Sequence, residues 1–270
     1  MKIEVNYQGK TYTLDTEEKV TVIQTGISRR AIARTFYYLF KATYSLPRLY
    51  GRLDPKDPLG SWKTKMQEVF SKLLSEELEN SRFDFNFSFK ISTDTLTLLG
   101  KVAGSDVNIK VEVEKQPELK VGDVSGPVVV DSFFMSSIKK MKPYFIPSCR
   151  VGLFSAFNRF TILQFESPTG IPRTLGLIAD FINSMVLEPG YTETVMERQI
   201  KVEGNELLCE EMPVYNCEPE VLNRFILNFF VKRNELNSIS FIEDPEMYAE
   251  DADKIILSFK GNVVVSKGEN

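Results

Sequence analysis

The chain has 270 residues, 43% of them hydrophobic and 26% charged, with a net charge of −4 and a pI near 5.3. That length and balance suit one large domain or two packed lobes, and the acidic total argues against a globally basic nucleic-acid binder. Histidine is absent, which removes Ser-His-Asp and Cys-His catalysis, HExxH metalloprotease chemistry and every imidazole metal site, and leaves proton transfer to carboxylates, Lys, Tyr or Cys.

The N-terminal stretch MKIEVNYQGKTYTLD alternates polar and apolar residues around the turn Gln8-Gly9-Lys10, a hairpin signal without an apolar signal core. No uncharged apolar run approaches the ~20 residues that span a bilayer, so a cytoplasmic protein without a membrane partner is expected. Cys149, Cys209 and Cys217 are widely spaced and form no CxxC pair. They read as reduced thiols in or near the core rather than as a disulfide framework or zinc site.

After the hairpin, Val20-Thr21-Val22-Ile23 reads as a short buried strand, a polar turn holds Gly26, and Ala31–Tyr44 has helical spacing. Residues 46–58 form a basic, proline-containing loop, and Trp62–Asn80 an amphipathic helix with Met66, Val69, Phe70, Leu73, Leu74 and Leu78 at helical spacing. The period then changes. Phe83, Phe85, Phe87, Phe89 and Ile91 alternate, so this stretch is a half-buried strand, and Thr95–Leu99 and Val107–Val113 continue an antiparallel sheet. Its aromatics have two readings, base stacking on an exposed face or an inward core face; buried period-2 faces are the commoner case.

In the second half, Val128–Val130 reads as a strand, Ser132–Lys142 as a helix and Tyr144–Pro147 as a strand leading into Ser148-Cys149-Arg150. Leu175–Leu187 is helical by spacing, residues 192–209 suggest a hairpin about Glu203-Gly204-Asn205, and Val221–Val231 is an apolar helix. Ile239–Ile242 is a buried strand ending in acids, Glu246–Phe259 a helix and Val263–Val265 a last strand. Short strands interleaved with helices indicate α/β with some α+β character.

The acids Glu243 and Asp244 follow an apolar strand, where one carboxylate can hold Mg²⁺ through water and the next can polarise an attacking water; a solvated acidic turn is the alternative. The segment ISFIEDPE resembles the Walker B segment of ABC-type ATPases of the SMC/RecF/OLD class, members of the AAA-domain type. Three further regions fall in that family's order. VTVIQTGISRRAIARTFYYLFKA resembles its strand, P-loop and first helix, YFIPSCRVGLFSAF its Ile-Pro-Ala-x-Arg-x-Gly-Leu piece, and DADKIILSFKGNVVVSKGEN its closing helix and strand.

The resemblance implies a P-loop NTPase, ABC-ATPase-like α/β core over residues 1–270, with an N-terminal β/P-loop-like lobe (1–45), a helical insertion (46–80), an antiparallel β segment (81–125) and a second half with the Walker B-like strand (126–270). Strands near 20–23, 143–147, 239–242 and 263–265 are expected to form its central sheet. The P-loop pattern Gly-x-x-x-x-Gly-Lys-Ser/Thr uses glycines so that backbone N–H groups converge on phosphate. Here Ile23 takes the first glycine's place, Gly26 lies inside the loop, Ser28 takes the second glycine's place, Arg29 the lysine's and Arg30 that of the Mg²⁺-binding hydroxyl. A planar guanidinium does not replace a compact ammonium, and Arg30 ligates no cation. The family's signature segment is replaced by Tyr215–Glu220, with two acids where a γ-phosphate would arrive, and its switch histidine by residues near Gly268.

The resemblance therefore implies a catalytically inactive or nearly inactive ATPase-like protein acting as an assembly or regulatory subunit in a DNA-related or defence-related process. Its partner would be a second copy or an ATPase paralogue. No cofactor and no metal site is expected. Two alternatives stay open: a weak Mg-dependent ATPase using ATP with Glu243, Asp244 and Arg29, and a nucleotide-independent nucleic-acid binder. Gly26, Ser28, Arg29 and Arg30 are the candidate nucleotide or anion contacts, and Arg48, Arg52, Lys56, Lys63 and Lys65 a candidate basic surface that also reads as a solvated face. Arg150 is either a structural arginine or a ligand contact.

Overall fold

A computed structural model describes residues 1–26, 28–81, 86–104, 106–118, 126–163, 176–204, 206–247 and 251–268, with 81 and 157–163 as backbone. The chain divides into two units: residues 1–21 with 34–143, and residues 22–33 with 144–270. The stretch 1–45 is thus shared between the two. Both units are mixed α/β in the sense expected.

The first unit is built on an antiparallel sheet of five strands. Strands β1 (Lys2–Tyr7) and β2 (Lys10–Asp15) form the expected hairpin, with Gln8 and Gly9 at φ 51 and 78, the positive pair a two-residue type I′ turn requires. β4 (Phe87–Ser92), β5 (Leu96–Ala103) and β6 (Asp106–Val113) complete the order β2-β1-β4-β5-β6. Period 2 puts Ile3, Val5, Phe87, Phe89, Ile91, Leu98, Ile109 and Val111 on the buried face. The aromatic alternation is therefore a core face; Phe83 and Phe85 lie outside the described residues. The opposite face is polar, with Glu4, Asn6, Ser88, Lys90, Lys101 and Lys110 around a concavity of about 600 Å³.

Helix α2 (Pro58–Ser81) packs on β6 and on helix α3 (Gly126–Ser137). Residues 128–130, expected as a strand, lie inside α3, and the helix expected to reach Lys142 ends at Ser137. A three-residue apolar run does not distinguish strand from helix by itself. The deciding signals are Pro127 in the first turn and the four-residue spacing of Val130, Phe134 and Ile138, all buried.

α3 also carries Asp131, fully buried. Its Oδ1 accepts the backbone N–H of Leu49 at 3.1 Å and the indole N–H of Trp62 at 3.2 Å, while Oδ2 faces Arg48 at 3.7 Å. This acid ties the 46–53 loop, with its 3-10 turn Tyr50–Arg52, to the helices. Lys140 donates to the carbonyl of Leu46, and burial, followed by the Arg48 charge, lowers its pKa.

The second unit holds two sheets. One has the order β3-β13-β12-β7, from β3 (Val20–Gln24), β7 (Lys142–Ile146), β12 (Ser238–Glu243) and β13 (Asn262–Lys267). These are the four strands expected to share a sheet. β12 and β13 run parallel in the middle and are buried on both faces, with small serines among the apolar residues. β3, expected to be buried, is an edge strand on which Ile23 is buried and Val22 exposed.

The other sheet, β11-β10-β9-β8, comprises β8 (Thr192–Val195), β9 (Arg198–Glu203), β10 (Glu206–Cys209) and β11 (Met212–Pro213). The single hairpin expected over 192–209 is thus extended by two further turns. Helices α4 (Arg150–Leu163), α5 (Leu177–Ser184) and α6 (Pro219–Arg233) pack together, and the last helix, α7 (Ala252–Leu257), is much shorter than the expected 246–259. Cys209 and Cys217 form a disulfide, and Cys149 is exposed. This corrects the expectation of buried free thiols: β11 turns the chain back on itself and brings two cysteines eight residues apart into bonding range.

Gly100 pairs directly with Phe89, and any β-carbon at position 100 would overlap the Phe89 ring. We expect Gly100→Ala to destabilise the chain by about 1–3 kcal/mol through overpacking, and Phe89→Leu in the same chain to restore part of the loss. Urea denaturation of the single and double variants checks this.

Candidate functional site

Strand β12 ends at Glu243, and the chain leaves the sheet through Asp244 and Pro245. Asp244 holds φ at 43, a left-handed conformation that costs a residue with a β-carbon about 1–2 kcal/mol. Three interactions keep it there. Its N–H donates to Ser266 O at 2.9 Å, its carbonyl accepts Met247 N–H at 3.1 Å, and Arg150 grips the turn from beneath.

Arg150 opens α4 directly after β7 and is fully buried. Its Nε donates to Asn223 Oδ1 at 2.5 Å. Nη1 donates to the carbonyls of Pro147 (3.2 Å) and Glu243 (2.8 Å), and Nη2 to those of Asp244 (3.2 Å), Pro245 (3.4 Å) and Met247 (3.3 Å). A guanidinium has five donors in a rigid fork, and all five are engaged. Burial lowers its pKa to about 10, opposed chiefly by the negative charge of Asp244, so it remains a cation at neutral pH. Arg150 is therefore structural: it neutralises carbonyl dipoles that the turn points into the interior.

The neighbouring acid, Glu243, is fully buried and accepts the backbone N–H of Ser148 at 3.2 Å. Asp244 turns the other way, toward the start of helix α1 (Arg29–Tyr44). Its Oδ1 accepts Arg29 Nε at 3.2 Å and Arg29 Nη2 at 3.1 Å. Its Oδ2 accepts Arg30 Nε at 2.9 Å and also Arg30 Nη2. The Asp244 side chain is 7% exposed and that of Arg30 44%. A carboxylate offers about four lone-pair sites, so four N–H donors fill it. Asp244 cannot take a metal ion or a water-held cation without releasing an arginine.

The connection from β3 to α1 is the four residues 25–28. In the eight-residue register set out above, Ile23 and Gln24 are still strand, and Arg29 and Arg30 are already helix. Gly26 O accepts both the backbone N–H of Arg29 (3.4 Å) and its Nη1 (3.2 Å). Ser28 O accepts Ile32 N–H at 3.1 Å, which places Ser28 at the N-cap position. Ile27 lies outside the described residues. The Arg29 N–H thus points back at the loop. Gly268 N–H donates to Glu246 Oε1 at 3.3 Å, which closes the same corner from the C-terminal side.

The structure thus brings Arg29, Arg30, Gly26 and Asp244 together, with Glu243 buried one residue away. It leaves Arg48, Arg52, Lys56, Lys63 and Lys65 in the other unit. There Arg48 faces Asp131 and Lys65 pairs with Glu68 at 2.7 Å, while Lys63 is half-buried and Arg52 and Lys56 are exposed. The acids of Tyr215–Glu220 have a local reason to be there: Glu218 and Glu220 flank Pro219 at the start of α6, where negative charge suits the helix dipole. Hydrogen bonding to its own backbone, aided by Arg198, holds the Glu218 pKa below its usual value. Among the described residues no group of three or more carboxylates or thiols is placed to hold a metal ion, and no helix is long and apolar enough to cross a membrane.

Asn223 and Ser148 complete the site without having been singled out from the sequence. Asn223 is a polar residue in the otherwise apolar run that forms α6, and that mismatch is its signal. Ser148 acts through its backbone and carries none. A scan against protein-family models and a search of curated proteins found no match to the chain.

We expect Arg150→Lys to destabilise the chain by about 3 kcal/mol or more, because three ammonium donors replace a fork that serves six acceptors. Asp244→Asn should lose roughly 1–3 kcal/mol, less than Arg150→Lys because Arg30 reaches solvent. Chemical denaturation of the two variants checks the order; a loss under about 1 kcal/mol for Arg150→Lys contradicts the assigned role.

Proposed function

We propose that the chain is an ABC-ATPase-like protein of P-loop NTPase descent whose nucleotide site is closed by its own Asp244, and that it acts as an assembly or regulatory subunit rather than as an ATPase. The observation that carries this reading is the Arg29–Arg30–Asp244 cluster. The arginines at the position of the phosphate-binding lysine and its neighbour already hold an oxyanion, supplied by the strand that would otherwise hold Mg²⁺. A triphosphate entering here meets two arginine forks already bonded to a carboxylate, a four-residue connection and a glycine carbonyl turned toward the arginine. Placement of residues 20–24, 142–146, 238–243 and 262–267 in one sheet supports the same descent.

An ATPase-like head that does not turn over nucleotide retains its surfaces. Its work in this reading is to pair, with a second copy or an ATPase paralogue, in a DNA-related or defence-related process.

Isothermal titration with ATP and Mg²⁺ should give no saturable heat up to ~1 mM, the concentration at which a binding free energy is only about −4 kcal/mol. Sedimentation of the purified chain, alone and mixed with candidate ATPase paralogues, should show association that persists without nucleotide. Saturable ATP binding that Glu243→Gln abolishes would establish the weak Mg-dependent ATPase instead. Binding of DNA or RNA with a steep salt dependence and no protein association would establish the nucleic-acid binder.

A further inference from the structure

The sheet β8–β11 ends in two neighbouring hairpin tips, and their residues do not suit the turns they make. Strands β8 and β9 are joined by Met196-Glu197, with Val195 paired to Arg198; β10 and β11 are joined by Glu210-Glu211, with Cys209 paired to Met212. Both tips lie at the same end of the sheet, because the β9–β10 turn is at the other. Met196 and Glu197 hold φ at 49 and 65, and Glu210 at 57. A type I′ turn takes Asn-Gly or Gly-Gly at the first pair, and a type II′ turn takes glycine at the position of Glu210.

Each of the other two-residue hairpin turns has a glycine in left-handed backbone, Gly9 at φ 78 beside Gln8 at φ 51, and Gly104 and Gly204 at φ 60, whereas neither tip has one. At the two tips three residues with long side chains accept left-handed backbone where glycine would relieve the strain. Glu210 gives part of the reason, since its Oε1 accepts Gln199 N–H at 2.9 Å. Met196 and Glu197 project into solvent.

The surroundings share one chemistry. Met196, Met212 and Tyr215 are 44%, 51% and 63% exposed. Met212 and Tyr215 sit in the loop closed by the Cys209–Cys217 disulfide, which limits how far that loop can move. Around the two tips Glu197, Glu210, Glu211 and Glu218 stand against Arg198 and Lys201, which pair with Glu218 and Glu211, and an excess of two negative charges remains. Glu211 and Glu197 stand beside the exposed apolar side chains. Pliable methionines and a tyrosine rimmed by acids match a partner with apolar groups set among cations.

We propose that the two tips and the disulfide-closed loop form a docking surface for a basic partner protein that presents apolar side chains among lysines and arginines. The surface gives the assembly reading its partner and rests on that much of it; it is independent of whether ATP binds.

The test uses the full chain and a fluorescently labelled amphipathic peptide of lysine and leucine, read by anisotropy. Met196→Asn with Glu197→Gly should weaken binding about tenfold, and Met212→Ser with Tyr215→Ser by at least as much. The first pair should also raise the apparent Tm by about 2–5 °C as the strained turn relaxes. Glu79→Gln, which removes one negative charge from α2, should change neither. Equal binding by all variants, equal binding of a lysine–serine peptide, or a fall in Tm for the first pair would overturn the proposal. So would a tip-dependent change in the chain's own oligomeric state, which would make the occupant a second copy. Peptide binding that follows these expectations while the sedimentation experiment finds no paralogue association would fault only the choice of an ATPase partner.

Discussion

A single buried guanidinium organises the second unit. Between β12 and α7 the chain turns sharply and presents four carbonyls to the interior, where unpaired they would each lose the hydrogen bonds water gives them. Arg150 meets these carbonyls, together with that of Pro147 and the amide of Asn223, so one side chain links the end of β7, the start of α4, α6 and the end of β12. The direction of Asp244 follows from it: with its carbonyl held from below and φ at 43, the residue sends its carboxylate toward α1.

The consequence for function lies in how completely Asp244 is occupied. Arginine forks bind phosphate and carboxylate by the same in-plane geometry, so an internal carboxylate competes directly with any external anion and is present at far higher effective concentration. The cluster is thus both an anion receptor and its own ligand. A lysine at position 29 would place one mobile charge there; two planar forks give four fixed bonds and a carboxylate without spare lone pairs. In the proposed reading, the residues that would spoil a phosphate cradle stabilise the corner where β12, β13 and α1 meet.

Much of the fold was legible because its signals are periodic and local. The strict alternation through Phe87, Phe89 and Ile91 gave a buried sheet face, the spacing of Met66, Val69, Phe70, Leu73, Leu74 and Leu78 gave α2, and four short apolar runs gave the strands β3, β7, β12 and β13, whose place in one sheet was what the resemblance implied. Where the signal was short or needed a distant partner, the reading failed. Val128–Val130 is too brief to show a period, and the disulfide depends on β11, a two-residue strand. Of the site, the acids and the two arginines were visible as residue types. Their mutual pairing was not, since Arg29 and Asp244 are 215 residues apart. Arg150 stood evenly between a structural and a ligand role until its six acceptors were known.

The strained hairpin tips concern a different surface of the same unit, and the two sets of observations share a logic: residues are kept where the backbone alone would favour others. At Asp244 the reason is internal, a carboxylate for two arginines; at Met196 and Glu197 the side chains face outward. The central claim, that Asp244 holds Arg29 and Arg30 in place of phosphate, is tested most directly by the ¹⁵N–¹H signals of the two arginine Nε groups during titration with Mg-ATP. The account predicts slowly exchanging Nε–H signals that do not move with nucleotide and that collapse toward free-arginine positions in Asp244→Asn. Signals already at free-arginine positions in the unmodified chain, or a saturable shift on adding Mg-ATP to it, would contradict the account.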